Sequence, residues 1–114
     1  MKEEELFDPM IAYLKKEGYS ILEQHRGNER GTDIVATKDD RKFLLELKGG
    51  PQPYVDFGTT IYQIMKEIDG LSTDQYALVV SENFRAYAAR CKFSLQKLRI
   101  NVFIVNENGV ELLF

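Results

Sequence analysis

Apolar positions along this chain follow two rhythms, one of period two and one near 3.6, and the switches between them outline the elements. Leu6, Phe7, Met10 and Leu14 keep a helical period up to Gly18, which reads as a stop. Asp8-Pro9 reads as an N-cap followed by proline at the first helical position, although the period across Pro9 also allows an earlier start with a bend there. Residues 19–24 read as a first strand and His25 to Gly31 as a polar loop. Residues 32–38 and 41–48 read as two strands joined at Asp39-Asp40, which predicts a β-hairpin. Gly49 to Gly58 contains Gly-Gly-Pro-Gln-Pro, breaks all periodicity and reads as a loop. Ile61, Ile64, Met65 and Ile68 have the spacing of an amphipathic helix, ended by Gly70. Residues 76–80 form a short apolar strand, and Phe84, Tyr87, Ala88, Cys91, Leu95 and Leu98 mark a second long amphipathic helix. Residues 101–105 and 110–114 are strands flanking Asn106-Glu107-Asn108-Gly109, a hairpin turn.

The resulting order, α-β-β-β-α-β-α-β-β, predicts one α/β domain over residues 1–114 with a central mixed β-sheet flanked by helices. Helices between the later strands imply right-handed crossovers and locally parallel pairing.

The first hairpin carries an oddity. Asp33, Glu46 and Lys48 sit inside runs apolar enough to be core strands, where ionised groups are seldom found without a partner or a task. With a loop of two or four residues centred on Asp39-Asp40, Asp33 lies directly opposite Glu46 on one face of the sheet; a three-residue loop shifts the register by one. Lys48 shares that face, while Ile34, Ala36, Phe43, Leu45 and Leu47 point the other way, into the core. Facing like charges destabilise a strand pair. One carboxyl can take up a proton, its pKa raised by its neighbour. Alternatively a cation sits between them, and such oxygen ligands suit Mg²⁺ or Mn²⁺. Lys48 neutralises one charge but hardly both. An incidental surface cluster is the plain alternative.

Composition narrows the field. At 114 residues, 44% hydrophobic and 29% charged, the chain is an ordinary globular domain with room for a core. Its single cysteine, Cys91, excludes an internal disulfide and a Cys-rich zinc site, and its place on an apolar helix face predicts core packing. No stretch reads as a signal peptide or membrane span, and Lys2-Glu3-Glu4-Glu5 opens the chain with charge, so a cytoplasmic protein with no membrane partner is expected. His25 is the only histidine, which leaves a His-based triad no second candidate.

A net charge of −3 does not mark a nucleic-acid binder, but the charges are unevenly placed. Arg85, Lys92 and Arg99 recur every seven residues as one basic stripe that could contact a nucleic-acid backbone; a solvated helix face is the alternative. Arg26 and Arg30, in the loop before the acidic pair, are further candidates for phosphate contact against a solvated turn.

A helix, then strands carrying Asp33 and Glu46-x-Lys48, then a helix with Gln63, resembles the PD-(D/E)xK nuclease superfamily, with its restriction-endonuclease-like core. Gly18-Tyr19-Ser20-Ile21 before Gly31-Thr32-Asp33-Ile34-Val35-Ala36 looks like the small members similar to Holliday-junction resolvases and excision-controlling factors. Thr32 stands where the family name has proline, a position that varies in the superfamily. The resemblance implies an endonuclease that hydrolyses phosphodiester bonds in DNA, less often RNA, with Mg²⁺ or Mn²⁺. Asp33 and Glu46 would hold the metal with the backbone carbonyl of Leu47, and Lys48 would orient the attacking water or stabilise developing charge. The family often places a glutamine like Gln63 beside the lysine, although Thr60-Ile61-Tyr62-Gln63 is also a capping-box pattern. Related nucleases often add a glutamate from the first helix; Glu3, Glu4, Glu5 and Asp8 compete, and Glu5 is selected, against the alternative of an acidic opening that merely suits the helix dipole.

Two functional classes therefore stand: a nuclease, or a non-catalytic interaction module that keeps the fold as a scaffold, which the acidic charge and short length favour. A homodimer is expected of so small a nuclease, with Val110 to Phe114 as an edge strand for pairing or as a buried final strand.

Overall fold

The hairpin of β2 (Ile34–Lys38) and β3 (Arg41–Lys48) frames the molecule. In the computed structural model, which describes all residues from Met1 to Phe114, Asp39 and Asp40 both have positive φ, 55° and 62°. Two successive left-handed residues make a type I′ turn, whose twist matches that of the flanking strands. The two-residue loop sets Ile34 opposite Leu45, Ala36 opposite Phe43 and Lys38 opposite Arg41. Continued by one step, this register puts Asp33 against Glu46.

The remaining strands extend the pair into a six-stranded mixed sheet whose spatial order follows the chain. β1 (Ser20–Gln24) runs antiparallel to β2, while β4 (Gln75–Ser81) and β5 (Ile100–Asn106) continue parallel from β3. β6 (Gly109–Leu112) turns back on β5 and closes the sheet as an edge strand. Parallel neighbours need crossovers, supplied by α2 (Pro53–Glu67) between β3 and β4, and by α3 (Arg85–Arg90) with α4 (Lys92–Lys97) between β4 and β5. No helix is long and apolar enough to cross a membrane.

Both faces of the sheet are covered. On one, Leu6 together with Phe7, Met10 and Leu14 of α1 (Phe7–Lys16) packs on Ile34, Ala36, Leu45, Leu47 and Val79. On the other, Phe57 and Ile64 of α2, with Phe84, Ala88 and Leu95, pack on Leu78, Val80, Val102 and Ile104. β4 therefore reads as an unbroken apolar run, because both of its faces are buried.

Four local expectations change. Gly49 to Gly58 is not all loop: α2 starts at Pro53, whose fixed φ suits a first helical position. The buried period begins at Phe57, one turn before Ile61, and Gly58 is carried inside the helix. The expected long helix after Phe84 is divided at Cys91, whose N–H bonds to the Ala88 carbonyl in a tighter turn. Both halves keep a core residue, Ala88 and Leu95. Asp8 is not an N-cap, since α1 grows out of a 3-10 turn over Glu3–Leu6. Pro9 then falls in the first turn, where its missing N–H costs no helical bond. The last strand stops at Leu112, and Leu113 and Phe114 bond to the Val102 backbone.

The turn gives a first test. Asp40→Gly relieves the positive φ and is expected to raise stability by about 0.5 kcal/mol, whereas Asp40→Val is expected to cost about 1–2 kcal/mol. Urea unfolding midpoints read both; equal midpoints would mean that the turn does not hold the register.

Candidate functional site

The end of β3 and the residue before β2 define a cleft of about 340 Å³. Asp33 lies just outside the β2 ladder, and its Oδ2 accepts the Leu47 N–H at 2.8 Å. The side chain thus takes a donor that a continuing ladder would have given to a backbone carbonyl. Meanwhile the Asp33 carbonyl accepts the His25 N–H at 2.8 Å, which draws the His25–Gly31 loop over the cleft. Gly31 at φ 124° packs against the imidazole so closely that a Cβ would sit 2.8 Å from it.

Glu46 is 4% exposed, the most buried charged residue in the chain. Its carboxyl and that of Asp33 are within hydrogen-bonding reach of each other. Burial, then the Asp33 charge and hydrogen bond, push the Glu46 carboxyl up to about 8. Asp33 is also raised, by burial, against the opposing pull of the Leu47 N–H, the hydrogen bond with Glu46, and the Lys48 charge. Burial is the larger cause at both acids, and at Glu46 the neighbouring Asp33 adds to it.

Lys48 does not neutralise the pair directly. Its Nζ lies 3.5 Å from Oε1 of Glu3. Glu3 reaches the cleft because the first residues lie against the end of β3: Gly50 donates to the Met1 carbonyl at 3.1 Å. A Cβ on Gly49 would stand 2.6 Å from that carbonyl oxygen and 2.8 Å from the Glu3 nitrogen, so only glycine permits the approach. Burial raises the Glu3 carboxyl, and Lys48 opposes the shift.

Asp33, Glu46, Leu47, Lys48 and Gln63 line this one cleft, joined by Glu3, Glu29, Lys66 and Glu67. Gln63 is no capping-box residue, because Thr60 lies inside α2 with its hydroxyl buried and without a partner. Lys66 and Glu67, three and four residues on, share the cleft side of α2, a helical spacing that is itself visible in the sequence. Glu3 was one of four competing acids, and only the fold selects it. Glu5, the residue selected, points elsewhere and accepts the Lys2 N–H at 2.8 Å.

The expected phosphate contacts do not gather here. Arg26 is held by Glu4 at 2.9 Å and Asp8 at 2.8 Å and lies over the Phe7 ring. Arg30 is exposed in the loop. Arg85 is paired with Glu82 and Glu111, the break at Cys91 separates it from Lys92, which stands over Phe114, and Arg99 lies beyond the end of α4. A larger cleft, about 620 Å³, opens at the opposite ends of β4 and β5 between Arg41, Tyr76, Arg99 and Phe114, but Asp74 is its only acidic side chain. Size does not select the site; chemistry does.

No three acid, histidine or cysteine side chains converge as a ready metal-ligand group. Asp33 and Glu46 are the residues that could hold a divalent cation. Mg²⁺ commonly takes one or two carboxylates and keeps several waters, so this donor set fits a hard cation. Among models of protein families, curated proteins and solved structures, none matches this chain.

The buried proton has a measurable sign. Glu46 ionises near 4.5 when unfolded and near 8 when folded, so between these values the folded state binds more protons. Stability in metal-free buffer is expected to fall as pH rises through that window, by at most about 1.4 kcal/mol per pH unit, and to level off above it. Glu46→Gln should remove most of the decline and raise the melting temperature at the alkaline end. Equal slopes in the two proteins would put the titrating group elsewhere.

Proposed function

We propose that this protein is a metal-dependent endonuclease of the restriction-endonuclease-like, PD-(D/E)xK type, hydrolysing phosphodiester bonds in DNA. One observation carries the reading: buried Glu46 and half-buried Asp33, from adjoining segments of the hairpin, bring two carboxyls into one cleft, and Lys48 lies beside them in it. The antiparallel β1-β2-β3 unit, followed by α2 and a parallel β4, is the framework that the resemblance implies for this trio.

Asp33 and Glu46 would hold Mg²⁺ or Mn²⁺, with the backbone carbonyl of Leu47 as a further oxygen. A cation held by these residues would polarise the scissile phosphate and make a nearby water more acidic. Asp33 is pre-positioned for ligation by the Leu47 N–H, which fixes one of its oxygens. Lys48 presents an ammonium group to the cleft, where it orients the attacking water or balances the charge that develops on phosphate. Its partner Glu3 keeps that ammonium at the cleft mouth. Gln63, with donor and acceptor on one amide, positions water or substrate from α2, and Lys66 adds positive charge to the same wall.

A second reading, a non-catalytic interaction module, is favoured by one feature. Arg26 and Arg85 are each held by two acids, which leaves no preformed basic track for a nucleic-acid backbone.

The two readings part in the test tube. Wild-type protein is expected to cleave plasmid, branched or single-stranded DNA when Mg²⁺ is added, and Glu46→Ala and Lys48→Ala to lose about 100-fold or more of that activity. Equal cleavage by wild type and variants would sink the catalytic assignment. Independently of substrate, Mg²⁺ should raise the melting temperature of wild type but not of Asp33→Asn/Glu46→Gln. A wild type indifferent to Mg²⁺ and Mn²⁺ supports the scaffold.

A further inference from the structure

α2 carries two apolar stripes, and the sheet uses only one. Phe57, Thr60, Ile61, Ile64 and Ile68 face the sheet, buried or half-buried. Val55, Gly58, Tyr62 and Met65 form a second stripe at intervals of three, four and three residues. That is the spacing of the a and d positions of a helix–helix seam. Its large members stand in solvent, Val55 at 60%, Tyr62 at 68% and Met65 at 49% exposure, with the neighbouring Tyr54 at 78%. A helix apolar on both sides is characteristically covered on both.

Gly58 sharpens the point. Glycine in a helix interior is less stable than alanine, and nothing lies within 4 Å of where its Cβ would be. Within the single chain, then, neither space nor backbone conformation requires it. What glycine supplies on a helix face is close approach by another backbone.

We propose that the outer face of α2 is a contact between two copies of this chain, their α2 helices crossing antiparallel at Gly58 and Thr59. On a two-fold axis through that point, Val55 of each copy meets Tyr62 of the other, with the small residues at the centre. The four exposed side chains present about 500 Å² of surface per copy, the size at which apolar patches mark interfaces. Two such faces bury about 1,000 Å² together, the lower limit for a specific association. The stripe itself bears no charge, with Lys66 only at its edge, so it suits another apolar face better than phosphates. Because Gln63, Lys66 and Glu67 line the cleft from the adjoining side of α2, this dimer sets two clefts beside one axis. The contact does not rest on the nuclease reading and is measured without DNA or metal.

Sedimentation equilibrium of the full chain tests it. Wild type is expected to be dimeric at micromolar concentrations, and Tyr62→Glu and Gly58→Glu to weaken association by about 100-fold or more. Gly58→Glu separates association from folding, since its side chain has open space in the single chain and a better helix propensity; its urea midpoint, measured at a concentration where both proteins are monomeric, should hold or rise. A wild type that stays monomeric at about 100 μM overturns the proposal and leaves the face to a different protein or a nucleic acid. A dimer that survives both substitutions overturns it too, and moves the contact elsewhere, such as the β6 edge.

Discussion

The register between β2 and β3 carries the rest of the molecule. A slip of one residue would turn Ile34, Ala36, Phe43, Leu45 and Leu47 out of the core beneath α1 and bring charge into it. The register is pinned at one end by the left-handed pair Asp39-Asp40 and at the other by the Asp33 carboxylate on the Leu47 N–H. The same alignment that fills the core sets Asp33 beside Glu46. Fold and site therefore share one constraint.

The acids of this protein fall into two electrostatic regimes. Glu82 and Glu111 grip Arg85, and that guanidinium holds both below the usual carboxylate range, Glu82 at about 2. Glu4 and Asp8 likewise pair with Arg26. The Asp33–Glu46 pair has no such partner: Lys48 leans toward Glu3, Lys66 only partly offsets the shift, and Glu46 is driven up to about 8. The arginines that are gripped by acid pairs lie away from the cleft, and none pairs with Asp33 or Glu46, where burial makes an unmatched charge most costly. That imbalance is poor for stability and suited to taking a cation.

α2 ties these parts together by angle alone. Its inner stripe, Phe57 through Ile68, fastens it to the sheet. A second side brings Gln63, Lys66 and Glu67 to the cleft, where Glu67 raises and Lys66 lowers the Glu46 carboxyl. The outer stripe stands free. Its start at Pro53 lengthens the helix enough for all three sides to matter, and the Gly49-Gly50 approach just before it admits the N-terminal segment that carries Glu3.

Whatever depends on local period and turn chemistry was legible along the chain. The two hairpins follow from alternation and their turn residues, and the parallel pairing from the helices between the later strands; with a two-residue loop at Asp39-Asp40, Asp33 faces Glu46, because side-chain direction along a strand is fixed by counting. Element limits were less legible. The glycines and prolines before Phe57 hid the first turn of α2, and an even apolar period hid the break at Cys91, since burial rather than propensity decides both. Only the tertiary structure chose among the N-terminal acids. Glu3 joins Lys48 through a backbone approach at Gly49, far along the chain, while Glu5 turns back to Lys2. Likewise Arg26, Arg85, Lys92 and Arg99 looked alike as charges, and their partners, set by which distant segments fold beside them, made them different. Counting along the chain settles which way a side chain faces; what it faces across space is settled by packing.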